Sequence, residues 1–161
     1  MIKHLRIDNR LIHGQVAVMW RSRIGAERII VTNDKVAADP IQKMALPMAA
    51  RGTPVSVLTI KETLEYVNAH PEETFFVICK FPSDALEILG SGVEVEQVNV
   101  GNAAPQVGQN DYKMILKNVA CTPEEGKMYR EIAKIRGGLT CQIVPTDEPI
   151  DIIKLLDENG L

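Results

Sequence analysis

Residues 6–16 read Arg-Ile-Asp-Asn-Arg-Leu-Ile-His-Gly-Gln-Val, with Arg10 and His13 three positions apart. A neutral imidazole is a nucleophile, and a guanidinium grips a pair of anionic oxygens in one plane. Together they suit a phosphoryl group carried on His13 and neutralised by Arg10. The pattern places both at the junction of an N-terminal strand and a helix. Gly14 has no Cβ, so backbone N–H groups can come close to a ligand there. At the helix start, the N–H groups of Gln15 and Val16 have no partner inside the helix; with the helix dipole they offer an anion site. Asp8 or Asn9 is placed to orient the imidazole through its non-reacting nitrogen. Phosphoryl transfer asks chiefly for positioning and charge stabilisation, and these residues supply both.

The remaining reactive side chains point to other roles. His4 falls inside the first strand and reads as a packed residue. His70 precedes Pro71 at a helix end, where an imidazole meets the last carbonyls favourably. There is no H-x-x-x-H or H-E-x-x-H, so no metal and no cofactor is expected. Cys79, Cys121 and Cys141 are scattered, without a C-x-x-C. They read as buried strand residues in a reducing, cytoplasmic setting. None has an arginine six positions on, which argues against a cysteine-dependent phosphatase. The absence of G-x-x-x-x-G-K-[ST] argues against a P-loop enzyme, and Gly90-Ser91-Gly92 leads into a strand-like segment.

The elements that must hold this loop alternate along the chain. Strands are predicted at 2–8, 28–32, 54–59, 74–80, 97–100, 117–121 and 141–144, mostly apolar on both faces. Helices are predicted between them. Asp39-Pro40-Ile41-Gln42 and Thr122-Pro123-Glu124-Glu125 read as capped helix starts with a proline at the first helical position, and Gly137-Gly138 as a stop. The first helix, 14–23, presents Val16, Met19, Trp20 and Ile24 on one stripe. Further helices are expected near 61–69, 83–89 and 150–158. The alternation predicts an α/β fold: one doubly wound domain over 1–161, with a mostly parallel sheet flanked by helices and room for an antiparallel strand at an edge. Ligands in such sheets bind beyond the carboxyl ends of the strands. That directs attention to 9–14, Asn33-Asp34, 80–83, 101–108 and Thr122.

Bulk properties narrow the function. The chain has 161 residues, 45% hydrophobic and 24% charged, which suits one domain with a substantial core. A net charge of −3 argues against broad nucleic-acid binding. Runs such as 75–79 are too short to cross a bilayer, and the N-terminus shows no signal-peptide pattern.

Residues 6–16 resemble the opening motif of the IIB components of the mannose/fructose/sorbose/N-acetylgalactosamine family of the bacterial phosphoenolpyruvate-dependent sugar phosphotransferase system, approximately R-[IV]-D-[DN]-R-[LV]-[IV]-H-G-Q-V. Ile29–Asp34, Asp39-Pro40 and Asn99-Val100-Gly101-Asn102 resemble later segments of the same family. The resemblance implies that His13 is phosphorylated, on Nδ1, by a IIA protein or domain. It implies that the group then passes to a sugar held by membrane IIC and IID components, making the chain a phosphotransferase at the cytoplasmic face of the membrane. Arg10 corresponds to the arginine that assists transfer to sugar, with Asp8 and Asn9 as supports. Asp34, Lys80, Phe81 and Asn102 are expected around the site or its docking surface, with Trp20 as either core or part of that surface. The oligomeric state stays open, a homo-oligomer included. Two departures stand out: Ala103-Ala104-Pro105 replaces the family's usual continuation after Gly101-Asn102, and Asn9 stands where an aspartate is common. A docking module that binds a phosphorylated partner without transfer is the rival reading, and it has no need of an imidazole.

Overall fold

The direction of each strand-to-strand crossover decides where the helices of this protein lie. In the computed structural model, which describes residues 1–161, seven strands form one sheet in the order β3-β2-β4-β1-β5-β8-β9. The chain starts at the centre with β1 (Ile2–Asp8), then steps outward to β2 (Arg28–Thr32) and β3 (Val55–Leu58). It returns across them to β4 (Phe75–Cys79) and β5 (Val95–Asn102), then goes on to β8 (Thr140–Cys141). Right-handed crossovers in opposite directions put their helices on opposite faces. Accordingly, α1 (Val16–Ile24), α2 (Asp34–Ala38) and α3 (Pro40–Ala49) cover one face. There Ala17, Trp20, Val36 and Ala50 pack on Ile29, Val31, Phe76 and Ile78. The other face carries α4 (Ile60–Ala69), α5 (Pro82–Gly90), α6 (Pro123–Arg136) and α7 (Ile152–Glu158). Their Ile60, Ala85, Ile88, Tyr129, Ile132 and Leu156 pack on Leu5, Ile7, Val77 and Val100.

Strands β2 and β4 are buried and mostly apolar, β1 mixes buried apolar residues with His4, Arg6 and Asp8, and β5 carries exposed Glu96 and Gln97; all four fall within a few residues of the predicted runs. The expected antiparallel edge strand is β9 (Ile150–Asp151), paired with β8. It occupies the first two residues of the predicted 150–158 helix, which starts only at Ile152. Residues 142–144 leave the sheet after β8. The predicted strand at 117–121 is not part of the main sheet. It is β7 (Val119–Cys121), closing a hairpin with β6 (Lys113–Leu116), which the sequence pattern did not suggest. Polar exposed Lys113 and half-exposed Met114 obscured the alternation there. The short helix α2 was also unexpected; Asn33 caps it, accepting from the N–H groups of Lys35 and Val36.

The first helix differs too. Gly14 lies in a turn at φ +53°, and the helix starts at Val16. Met19 is 42% exposed, so the buried stripe of α1 is Ala17 and Trp20. The Thr122 capping box forms as expected, with Glu125 returning to the Thr122 N–H. At Asp39, Gln42 instead reaches the cap's own carboxylate. The three cysteines are free and buried in β4, β7 and β8.

His4 lies in the core, its ring 5.1 Å from that of Trp20 and edge-on to Phe76. Neither ring nitrogen has a hydrogen-bond partner. Burial, reinforced by the Arg6 cation, pushes its pKa from 6.5 down to about 4. The unfolded chain therefore binds a proton here that the folded chain refuses. The stability contributed by a neutral His4 is complete above pH 6.5 and is lost as the pH falls toward 4. Of the stability the protein loses between pH 7 and 4.5, about 2 kcal/mol is expected to be absent in His4→Gln. Urea unfolding of both proteins at the two pH values measures this; equal losses would refute the assignment.

Candidate active site

An arginine buried in the central strand of the sheet must find partners, because a guanidinium is costly to bury alone. Arg6 is 1% exposed. Its Nη1 donates to Asn99 Oδ1 at 3.3 Å and to the Gln142 carbonyl at 2.9 Å; its Nη2 donates to the Ile143 carbonyl at 2.9 Å. The guanidinium carbon sits 5.0 Å from the Trp20 ring centroid, and the Trp20 indole N–H also donates to the Ile143 carbonyl. Burial pushes the Arg6 pKa down from its ordinary value, and the Asp8 carboxylate opposes that. Asp8 lies two residues on, hence on the same face of β1, and its Oδ2 is 3.2 Å from Arg6 Nη2.

Asp8 carries Arg10. Its Oδ1 accepts from the Arg10 backbone N–H at 3.1 Å and from Arg10 Nε at 3.2 Å, and its Oδ2 accepts from Arg10 Nη2 at 3.2 Å. The result is a ladder from a buried cation, through a buried carboxylate, to a cation at the surface. Gly101 makes room for it. This residue interrupts the regular β1–β5 register between Ile7↔Val100 and Asp8↔Asn102. A Cβ at Gly101 would fall on the Arg6 guanidinium and 2.5 Å from Asp8 Oδ2.

The loop beyond Asp8 is held by apolar anchors. Leu11 adopts φ +60°, a left-handed conformation that costs about 1 kcal/mol for a residue with a Cβ. In exchange, the Leu11 and Ile12 side chains enter the core beside Val31 and Ile78 while His13 stays exposed. No protein group hydrogen-bonds the His13 ring, so both nitrogens are available. The Val16 N–H turns back to the His13 carbonyl at 3.2 Å. It therefore closes the turn, and the N–H groups of Gly14 and Gln15 make no hydrogen bond within the chain.

The structure corrects the role expected of the loop's polar residues. Both Asp8 oxygens are committed to arginines, so Asp8 does not orient His13. Asn9 instead ties this loop to the segment after β5. Its Oδ1 accepts from Asn102 Nδ2 at 3.0 Å and from the Ala104 N–H at 3.2 Å, while its Nδ2 donates to the Ala104 carbonyl at 2.9 Å. The unusual Ala103-Ala104 continuation is thus fastened by backbone contacts that do not depend on its side chains. The β6–β7 hairpin supports it from behind: the Ala103 N–H donates to the Asn118 carbonyl, and Asn118 Nδ2 donates to the Gly101 carbonyl at 2.7 Å.

Lys80 and Phe81 follow β4, which pairs with β1 and ends at Cys79, one residue short of the predicted run, and they share a cleft with Asn9 and Ala104. Trp20 is buried beneath Arg6 and takes no part in a surface patch. Asp34 is turned to another task, accepting from the Ile60 N–H at the start of α4. Asp84, which sequence reasoning passed over, organises the neighbouring loop. Its carboxylate accepts from the Lys80 and Phe81 N–H groups and from Asn33 Nδ2. Burial raises its pKa, against the effect of those donors. Arg6, Asn99 and Gly101 were missed as well. The available signal was the alternation of Arg6 and Asp8 on one strand face, which requires a compensating strand alongside.

Because Arg6 is fixed on three sides, Gly101→Ala is expected to destabilise the protein by about 3 kcal/mol. A urea midpoint unchanged from the parent would show that the ladder tolerates a side chain at that position.

Comparison with known proteins identifies the family of this chain. The family profile described as "PTS system sorbose subfamily IIB component" matches residues 2–161. The chain is 35% identical over 155 residues to the N-acetylgalactosamine-specific phosphotransferase enzyme IIB component 2 of Escherichia coli (strain K12), covering 94% of this chain and 96% of that one. It is 36% identical over 107 residues to the mannose-specific EIIAB component of the same organism, covering 65% of this chain and 33% of that longer protein. The crystal structure of the IIBSor domain of the sorbose permease from Klebsiella pneumoniae superposes with a TM-score of 0.89 at 31% identity, covering 98% of this chain and 97% of that one. Matched by the family profile over residues 2–161 and similar in fold to a solved IIB domain, the chain belongs to the sorbose subfamily of phosphotransferase-system IIB components.

Proposed function

We propose that residues 1–161 act as one carrier unit in which His13 takes a phosphoryl group from the phosphohistidine of a IIA protein or domain and delivers it to a sugar held by IIC and IID components. The observation that carries this reading is the placement of His13. It is exposed, its ring makes no hydrogen bond within the protein, and it lies on the loop that follows the Arg6–Asp8–Arg10 ladder at the carboxyl end of the central strand. The EIIAB relative supports a IIA donor, since its name joins the two activities. No helix of this chain is long and apolar enough to cross a membrane, and the proposed sugar-bearing step is assigned to membrane IIC and IID components. This carrier would work at the cytoplasmic face of that membrane.

In the first step the His13 lone pair attacks phosphorus, and the bond from phosphorus to the donor imidazole breaks. The electron pair returns to the donor ring, which takes up a proton as the second His13 nitrogen releases one. In the second step a sugar hydroxyl oxygen attacks the same phosphorus, the His13 N–P bond breaks with its electron pair returning to the ring, and the ring regains a proton as the hydroxyl loses one. Arg10, with the free N–H groups of Gly14 and Gln15, faces the charge on the phosphoryl oxygens. Lys80, Phe81 and the Asn102–Ala104 segment border the loop and form the surface each partner must meet. Such encounters are brief and need only modest interfaces.

Intact-mass measurement after incubation with phosphoenolpyruvate, the general phosphotransferase proteins and a IIA partner tests the assignment. One acid-labile phosphoryl group is expected on the parent and none on His13→Ala. A carrier that stayed unmodified beside a phosphorylated, binding-competent IIA would instead favour a docking module. Arg10→Gln is expected to keep acceptance from IIA while slowing delivery to sugar about 100-fold, as loss of one charge-stabilising donor does elsewhere. Sugar phosphorylation at the parent rate would remove Arg10 from that step.

A further inference from the structure

We propose that Asp8 is a positioning residue that holds Arg10 in reserve and releases it to the phosphoryl group, with buried Arg6 as the counter-charge that makes the release reversible. This rests on His13 being the phosphorylated residue. Every side-chain hydrogen bond of Arg10 goes to Asp8. The Arg10 side chain is 27% exposed, whereas those of Asp8 and Arg6 are 3% and 1% exposed. The outer member of the ladder is therefore the one able to move. Arg6 is fastened by Asn99 and by two backbone carbonyls, and it cannot follow.

A phosphoryl group on His13 brings close to two negative charges within reach of the same loop. It competes with Asp8 for the Arg10 guanidinium. When Arg10 leaves, Asp8 keeps the Arg6 guanidinium and the Arg10 backbone N–H, so no buried carboxylate is left unpaired. When the phosphoryl group departs, the same pairing draws Arg10 back. Asp8 makes and breaks no covalent bond. Its effect is on the equilibrium, since the free carrier keeps a good partner for Arg10 and is not forced to retain the phosphoryl group in order to satisfy it. Without Asp8 the carrier would bind the phosphoryl group more firmly.

The test is the equilibrium distribution of phosphoryl groups between a IIA donor and this carrier. Asp8→Asn is expected to shift it toward the phosphorylated carrier about tenfold, as removal of one charge-assisted competitor implies. In an Arg10→Gln background the same substitution is expected to have no effect. A shift of equal size in both backgrounds would reduce Asp8 to simple repulsion of the phosphoryl group and overturn the proposal, as would no shift in either.

Nitrogen-15 spectra of the arginine Nε groups in the unaltered protein give a second measurement that does not depend on variants folding. On phosphorylation the Arg10 resonance should move while that of Arg6 stays. A phosphorylated carrier with an unmoved Arg10 resonance would overturn this proposal alone. Failure of His13 to accept any phosphoryl group would overturn it together with the assignment beneath it.

Discussion

A guanidinium buried to 1% exposure cannot be left without compensation, and the Arg6–Asp8 contact is the constraint around which this end of the molecule is built. It asks for two polar residues on one face of β1. It asks β5 for an acceptor, Asn99, at the level of Arg6, and for a glycine near the level of Asp8. The carbonyls of Gln142 and Ile143 must be turned inward, which draws the chain after β8 over the pair. Trp20 must then cover the guanidinium from α1, with its own N–H satisfied by the same Ile143 carbonyl. One electrostatic requirement thus couples β1, β5, α1 and the 142–143 segment. These are the elements that surround the loop on which the chemistry depends.

Above that base, the loop is fixed by a different kind of force. Leu11 and Ile12 bury apolar area between α1 and the sheet, which at about 25 cal/mol per Å² outweighs a local cost of about 1 kcal/mol for the left-handed turn at Leu11. The alternation of exposed Arg10, buried Leu11 and Ile12, and exposed His13 follows from that exchange. Asn9 then couples the loop to its neighbour through three hydrogen bonds. Electrostatics set the base, apolar burial sets the loop's path, and amide pairing sets its register with the 102–104 segment.

Much of this could be read from the chain, and the parts that could not share a physical cause. Strands β2 and β4 are buried on both faces, so their apolar runs stand out. Capped helices such as α6 announce their ends. The β6–β7 hairpin lies outside that sheet and half in solvent, so the cue of continuous apolar residues failed there. Met19 was misplaced because a helix starting two residues later turns another face inward. At the candidate site, His13 and Arg10 stand out in the sequence because their types suit phosphoryl chemistry, and the structure puts both on one loop after β1. Asp8 and Asn9 were legible as important but not in their roles. A carboxylate near a histidine suggests an orienting partner, and only the three-dimensional pairing shows both its oxygens taken by arginines. Gly101 was visible only as part of a family pattern; its reason, the space claimed by Arg6 and Asp8, comes from a strand 93 residues away in sequence from Asn99.

The two histidines flanking this ladder show what distinguishes a carrier from a core residue. His4 is buried, unpartnered and pushed toward neutrality, and it packs against Trp20 and Phe76 as an apolar ring would. The His13 ring is exposed and equally free of hydrogen bonds. In the role proposed for His13, the absence of a ring partner means that nothing has to be broken when a donor approaches. A nucleophile that must meet two different proteins in turn gains little from being oriented by a fixed neighbour, because such a contact would favour one encounter over the other. What it needs is a rigid mount and a charge that can be lent and recovered. Leu11 and Ile12 provide the first. In the proposed cycle the Arg6–Asp8–Arg10 ladder provides the second, since Arg6 and Asp8 are buried and Arg10 is partly exposed. The order of burial along that ladder is the feature on which the proposed reversibility rests.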